Sequence, residues 1–150
     1  MTKKVITYGT FDLFHVGHVR LFRRLSELGD HLTVGVSTDE FNASKGKASV
    51  VPFEQRVEIV QSCRYVDEVL LEESWDQKPK DIVAHNISVF AMGDDWAGKF
   101  DDLSKLCEVV YLPRTTDISS SFLKSYVKNE HDERVSQIER NASKLIKGNE

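Results

Sequence analysis

The chain has 150 residues, 40% of them hydrophobic and 29% charged, with a formal net charge of −4. That length suits one domain with a core of its own. The composition excludes a disordered chain, the lack of a run near 20 apolar residues excludes a spanning helix, and the acidic balance argues against a protein that grips nucleic-acid backbone.

The amino terminus, MTKKVITYG, carries no apolar stretch ahead of its first strand pattern, so no cleaved signal peptide is expected. Val5–Tyr8 reads as a first strand, followed by GTFDLFHVGH, Gly9 to His18, and a helix predicted over His18–Leu28. This places His15 and His18 between the carboxyl end of a strand and the start of a helix. In an open α/β sheet ligands bind there, and unpaired N–H groups of a helix amino terminus attract phosphate. Gly17 leaves space between the two imidazoles for backbone and phosphate to approach. Two histidines three apart also share one helical face, which is equally the spacing of a polar surface pair. A zinc site is disfavoured, because three or four ligands are needed and His31, His85 and His131 stand in unrelated contexts. Arg20, Arg23 and Arg24 read as a solvated flank opposite Leu21, Leu25 and Leu28, and Gly29 as a left-handed cap closing the helix.

Further strands are predicted at Leu32–Ser37, Glu68–Leu71, Val89–Met92 and Val109–Leu112, and helices at Phe53–Arg64, Pro79–His85 and Asp102–Leu106, with Pro52 at a first helical position. Strands rich in Val and Ile with little alternation fit burial on both faces. The expected fold is therefore α/β, a Rossmann-like parallel five-stranded sheet with helices on both faces. Thr38–Val51 reads as a long binding loop with Lys45-Gly46-Lys47 at its tip, and Gly93–Phe100 as a second loop at a strand's carboxyl end. Cys63 and Cys107 read as small buried hydrophobes rather than a disulfide, which points to the cytoplasm.

After Leu112, Ser119-Ser120-Ser121 is either a cap-and-turn cluster or, with Arg114 and Thr115, a set of hydroxyl, backbone and guanidinium donors for phosphate. The tail repeats apolar residues at Val135, Ile138, Ala142 and Leu145, an amphipathic helix whose stripe would pack on its own domain, join a partner subunit or fray. Two parts are expected, a nucleotide-binding catalytic domain over 1–128 and a C-terminal helical extension over 129–150.

The segments KVITYGTFDLFHVGH, STDEFN, RYVDEV, MGDDWAGKFD and CEVVYLPRT, then IS with two hydroxyl residues, occur in that order over about residues 4 to 128. In these the chain resembles the glycerol-3-phosphate cytidylyltransferases of the HxGH nucleotidyltransferase superfamily. The resemblance implies transfer of a cytidylyl group from CTP to glycerol 3-phosphate, giving CDP-glycerol for a teichoic acid or capsule-type surface glycan, by a homodimer. It implies nucleotide contacts from Thr10, Phe11, His15, His18, Lys47, Arg114, Thr115, Ile118, Ser119, Ser120 and Ser121, with Asp95 near the cytosine. It also implies acceptor contacts from Lys45 and Lys78 and a role in activity for Arg64. Among these His15, His18, Arg64 and Arg114 would carry the catalysis. Magnesium would arrive with CTP and have few protein ligands of its own; Asp12 and Asp39 could help hold it through water, Asp12 being equally readable as a turn or cap residue. The chain departs from the family pattern at Val16, where an aromatic residue is expected, and at Ser120 and Ser121, where threonines are. Other acceptors, phosphocholine or phosphoethanolamine, and a non-catalytic nucleotide-binding domain are the competing readings, and Trp75 and Trp96 suit a cationic acceptor.

Overall fold

A computed structural model describes residues 1–116 and 118–147. Five parallel strands, β1 (Lys4–Gly9), β2 (His31–Ser37), β3 (Glu68–Glu72), β4 (Val89–Gly93) and β5 (Glu108–Leu112), form one sheet in the order β3-β2-β1-β4-β5. Each expected strand is present, lengthened by one or two residues. Alternate residues of the central strands serve two cores. Val5, Leu32, Val34, Val36, Val89 and Ala91 meet Phe22 and Leu25 of α1 (Val16–Ser26) and Val60 of α3 (Phe53–Gln61) on one face. Ile6, Tyr8, Phe90 and Met92 meet Ile82 of α4 (Gln77–Ala84) and Leu103 on the other. Burial on both faces is why these strands lack polar alternation, and each fully buried large apolar side chain contributes about 1.5–3 kcal/mol.

The chain winds outward from β1 through β2 to β3, then returns across the sheet to β4 and β5. The winding thus reverses between β1 and β4, and their carboxyl ends, Gly9 and Gly93, flank the crevice that such a reversal opens.

Several local expectations differ from what the packing selects. Helix α1 begins at Val16 and stops at Ser26, and Gly29 is not in the left-handed region; a Cβ there would lie 2.4 Å from the Lys3 carbonyl oxygen, so close approach of the chain requires the glycine. Pro52 is the cap ahead of α3 rather than its first residue. The long loop after Ser37 contains a short helix, α2 (Asp39–Ser44), capped by the Thr38 hydroxyl, which accepts from the Phe41 N–H. The segment predicted as a helix from Asp102 is a 3-10 turn over Asp101–Lys105, and a second 3-10 turn covers Asp94–Trp96. Cys63 and Cys107 are free and half-buried. Arg24 is no solvated flank, since its guanidinium donates to the Pro113 carbonyl.

One continuous helix, α5 (Ser120–Lys147), carries the last two serines of the run and the tail, so residue 128 falls inside a helix. The last three residues assigned to the extension, 148–150, lie outside the described residues. Val135, Ile138 and Leu145 are exposed on α5. No helix among the described residues is long and apolar enough to cross a membrane.

Candidate active site

The segment between β1 and α1 cannot relax into an ordinary turn. Phe11 and Leu13 both adopt positive φ, 53° and 48°, a conformation that costs a side-chain-bearing residue roughly 1–2 kcal/mol. Bonds from distant parts of the chain hold it. The buried Asp12 carboxylate accepts the backbone N–H groups of Val50 at 2.8 Å and Val51 at 2.9 Å and pairs with Lys124 of α5 at 2.9 Å. The Ser120 hydroxyl donates to the Asp12 carbonyl. Arg56, 1% exposed, donates to the carbonyls of Thr10, Ser37 and Val51 and to Asp39. Strain that is over-determined in this way gathers at functional sites.

At the end of this turn His15 caps α1. Its Nδ1 accepts the Gly17 N–H at 3.0 Å, and the Nδ1 of His18 reaches back to accept the His15 N–H at 3.2 Å, a reciprocal cap built from two imidazoles. The rings stack with centroids 3.8 Å apart. An Nδ1 that accepts leaves the proton of a neutral imidazole on Nε2. Both rings are held neutral. Burial, then the neighbouring His15, brings the His18 pKa down to about 3, while burial and the Arg114 guanidinium lower that of His15. Phe11 meets the His18 ring edge-on and Phe14 stacks on it, so the ring has little room to turn. Gly17 is required here, because a Cβ would lie 2.7 Å from His15 Cε1 and 3.2 Å from Ile118.

These imidazoles face a cleft of about 590 Å³ at the winding reversal, lined also by Thr10, Phe11, Lys45, Lys47, Lys78, Asp95, Arg114, Thr115, Ile118 and the three serines. The structure therefore brings together every predicted contact residue except Arg64. That side chain sits beyond the end of α3, over the ring of Tyr65, in a shallow hollow with Phe14 and Cys63. The RYVDEV run begins where α3 has ended, so Arg64 does not join the other expected residues at this cleft. Arg56, eight residues earlier and near the start of α3, is the buried guanidinium of this region, and it acts as a strut.

The serine run combines both of its readings. Ser119 caps α5, its hydroxyl accepting the Phe122 N–H at 3.0 Å, and keeps its own proton to donate; Ser120 is spent on Asp12; all three line the cleft. Arg114 is loosely paired with Asp95 at 3.3 Å, both more than half exposed, so the guanidinium is available to an anion at little cost. Asp12 and Asp39 are both engaged by partners within the chain. Burial alone would raise the Asp12 pKa, but the Val51 and Val50 N–H groups and Lys124 outweigh it and hold the carboxyl low. Asp39 is lowered by its bond from Arg56 and caps Phe53. Among the described residues no group of three or more His, Cys, Asp or Glu side chains is placed to hold a metal ion.

At the β3 side of the cleft lies a cluster that spacing alone did not reveal. Glu72, 4% exposed, accepts the Lys78 ammonium at 2.7 Å and the Ser37 hydroxyl, and Lys45 stands 4.0 Å from its other oxygen. Asn42 is a second omission. It accepts from the Thr10 hydroxyl and donates to Ser49, tying the end of β1 to the loop that carries Lys47. A charged or amide residue on a predicted loop or strand end gives no sign, before folding, that it will be buried.

Comparison with known proteins agrees with this geometry. The model of the family described as cytidylyltransferase-like matches residues 6–141. Glycerol-3-phosphate cytidylyltransferase of Bacillus subtilis is 57% identical over 125 residues, 83% of this chain and 97% of that protein. The enzyme of that name from Staphylococcus aureus is 52% identical over 81% of this chain and 92% of its own length. A lipopolysaccharide core biosynthesis protein of Thermoplasma volcanium shares the fold, with a TM-score of 0.66 at 21% identity over 77% of this chain and 99% of that one. With its sheet order, its imidazole-capped helix and a relative matched over nearly its whole length, the chain belongs to the cytidylyltransferase-like family, in the group of the glycerol-3-phosphate cytidylyltransferases.

Proposed function

We propose that this protein transfers the cytidylyl group of CTP to sn-glycerol 3-phosphate, yielding CDP-glycerol and pyrophosphate. The observation that carries the reading is the convergence of two neutral imidazoles, Arg114 and the amino terminus of α5 on one cleft. An oxygen of the acceptor phosphate attacks the α-phosphorus of CTP in line, and the bond from that phosphorus to the bridging oxygen breaks as pyrophosphate leaves. The acceptor is already an anion, so no base has to activate it. The barrier is charge repulsion and misalignment, which fixed donors lower.

On this reading His15 and His18 donate from Nε2 to oxygens that gain charge as the phosphorus becomes five-coordinate. Among the described residues nothing else bonds to either Nε2. Arg114 and the Ser119–Ser121 turn hold the outgoing phosphates, Thr10 and Phe11 border the nucleotide, and Asp95 faces its base. Lys47 closes on the triphosphate, and Lys45 and Lys78 serve the acceptor. Magnesium carried with CTP would offset phosphate charge; of the carboxylates lining the cleft, Asp12 and Glu72 are committed to lysines, N–H groups or a hydroxyl, and Asp95 is loosely paired with Arg114. The protein works in the cytoplasm as a homodimer, and its product supplies a surface glycan containing glycerol phosphate.

The test is pyrophosphate release with CTP or ATP paired with glycerol 3-phosphate, phosphocholine or phosphoethanolamine. CTP with glycerol 3-phosphate is the expected productive pair. Turnover only with another acceptor overturns the substrate assignment, and CTP binding without turnover on any acceptor overturns the enzyme.

A further inference from the structure

The Lys78 ammonium lies 4.7 Å from the ring centre of Tyr8, 4.9 Å from that of Trp75 and 5.6 Å from that of Phe100, and it is tied to Glu72 at 2.7 Å. Only 2% of Lys78 is exposed. Three aromatic faces and one carboxylate form a receptor for an organic cation. The box is rigid: the Tyr8 hydroxyl donates to Asp81 at 2.7 Å, and the Ser37 hydroxyl fixes Glu72. It also borders the cleft in which the acceptor would bind.

We propose that Lys78 is a built-in occupant of this cation box and thereby decides the acceptor. With the box filled by the chain's own ammonium, a phosphate ester that ends in an ammonium group finds its seat taken and meets a like charge. One that ends in hydroxyl groups meets an ammonium that still has protons to donate, because Glu72 takes one of its three. A filled box lets an aromatic, acidic pocket serve an acceptor whose end remote from the phosphate carries uncharged hydroxyl groups. This inference rests on the acceptor site proposed above, but the cation box itself can be tested without turnover.

Lys78→Ala removes the last three carbons and the nitrogen of the side chain, which propylammonium replaces atom for atom. Tryptophan fluorescence and thermal unfolding of Lys78→Ala are followed while propylammonium or tetramethylammonium is added, with wild type alongside. The variant is expected to respond to both cations and wild type to neither. Adding Glu72→Gln should weaken that response by about tenfold or more, the size a desolvated charge contact supports. If Lys78→Ala is unfolded because Glu72 is left unpaired, a cation that fills the box restores folding by linkage. A variant that stays unfolded in saturating propylammonium, or is folded and indifferent to both cations, overturns the box.

Turnover then tests acceptor choice. Propylammonium should raise glycerol 3-phosphate use by Lys78→Ala about tenfold or more, and phosphoethanolamine use should exceed that of wild type by a similar factor. Cation binding with no gain in phosphoethanolamine turnover overturns the role in specificity while leaving the box. Wild type inactive on glycerol 3-phosphate, with the cation response intact in the variant, overturns the acceptor assignment and not the box.

Discussion

The Nδ1 of His18 accepts the backbone N–H of His15 at 3.2 Å while the two rings stack at 3.8 Å, so each imidazole fixes the orientation of the other. A helix cap is usually a serine or an aspartate, which satisfies an N–H and does nothing more. An imidazole cap does that with one nitrogen and aims the second as a donor. On the proposed mechanism, capping α1 and stabilising a transition state are one arrangement.

Replacing His18 by alanine should lower turnover about 10²–10³-fold, the usual effect of losing one transition-state donor, with a much smaller change in CTP affinity. Steady-state kinetics together with nucleotide titration separate the two. Turnover within severalfold of wild type would remove His18 from the chemistry.

Acid should destabilise the protein through the same ring. With its pKa near 3 in the folded chain against an ordinary 6.5, His18 takes up a proton on unfolding throughout that interval. Stability is complete above about pH 6.5 and declines as the pH falls towards 3, with a slope of at most about 1.4 kcal/mol per pH unit from this group. Urea unfolding from pH 7 to pH 5 should give a shallower decline for His18→Gln than for wild type. Asp12 acts lower on the scale, its contribution being lost as pH drops below the ordinary carboxylate value.

Gly17→Ala places a methyl group 2.7 Å from the His15 ring, which must rotate off the Gly17 N–H or push Ile118 away. The expected cost is about 1–3 kcal/mol of stability from overpacking, with loss of turnover exceeding the loss of CTP binding. Thermal unfolding and kinetics on the same preparation check this, and unaltered kinetics would mean that the His15 orientation is not critical.

Asp12→Asn keeps the shape but removes the charge that holds Val50, Val51 and Lys124. Each charge-assisted bond is worth about 1.5–3 kcal/mol, so the variant should unfold at clearly lower urea and, with the Lys47 loop released, bind CTP more weakly. Full stability with intact binding would contradict the latch.

Truncation after Lys128 leaves Lys124 and Ser120 in place, and no residue beyond Lys124 lines the cleft. CTP affinity and turnover should stay within about twofold of wild type, as expected when exposed terminal backbone is removed. A larger loss would assign the tail a part in the site.

Strand positions, the parallel sheet and two separate phosphate-binding candidates, His15 with His18 and Arg114 with the serine run, were legible in the chain, because buried β-branched runs, a glycine between histidines and a serine cluster ahead of an apolar helix are local signals; that the two share one site was implied only by the family resemblance. Folding decided what local pattern does not encode. Arg56 and Arg64 are alike as residues, eight apart in one predicted helix. The helix stops at Gln61 and turns Arg56 under the strand ends, while Arg64 is carried outside. Asp12 and Glu72 give no sign in sequence of lysines 112 and 6 residues away, yet each is buried against one. The heavily charged groups of this site are fixed by partners brought from other elements, since a buried charge is tolerated only where tertiary packing supplies its counter-charge and hydrogen bonds.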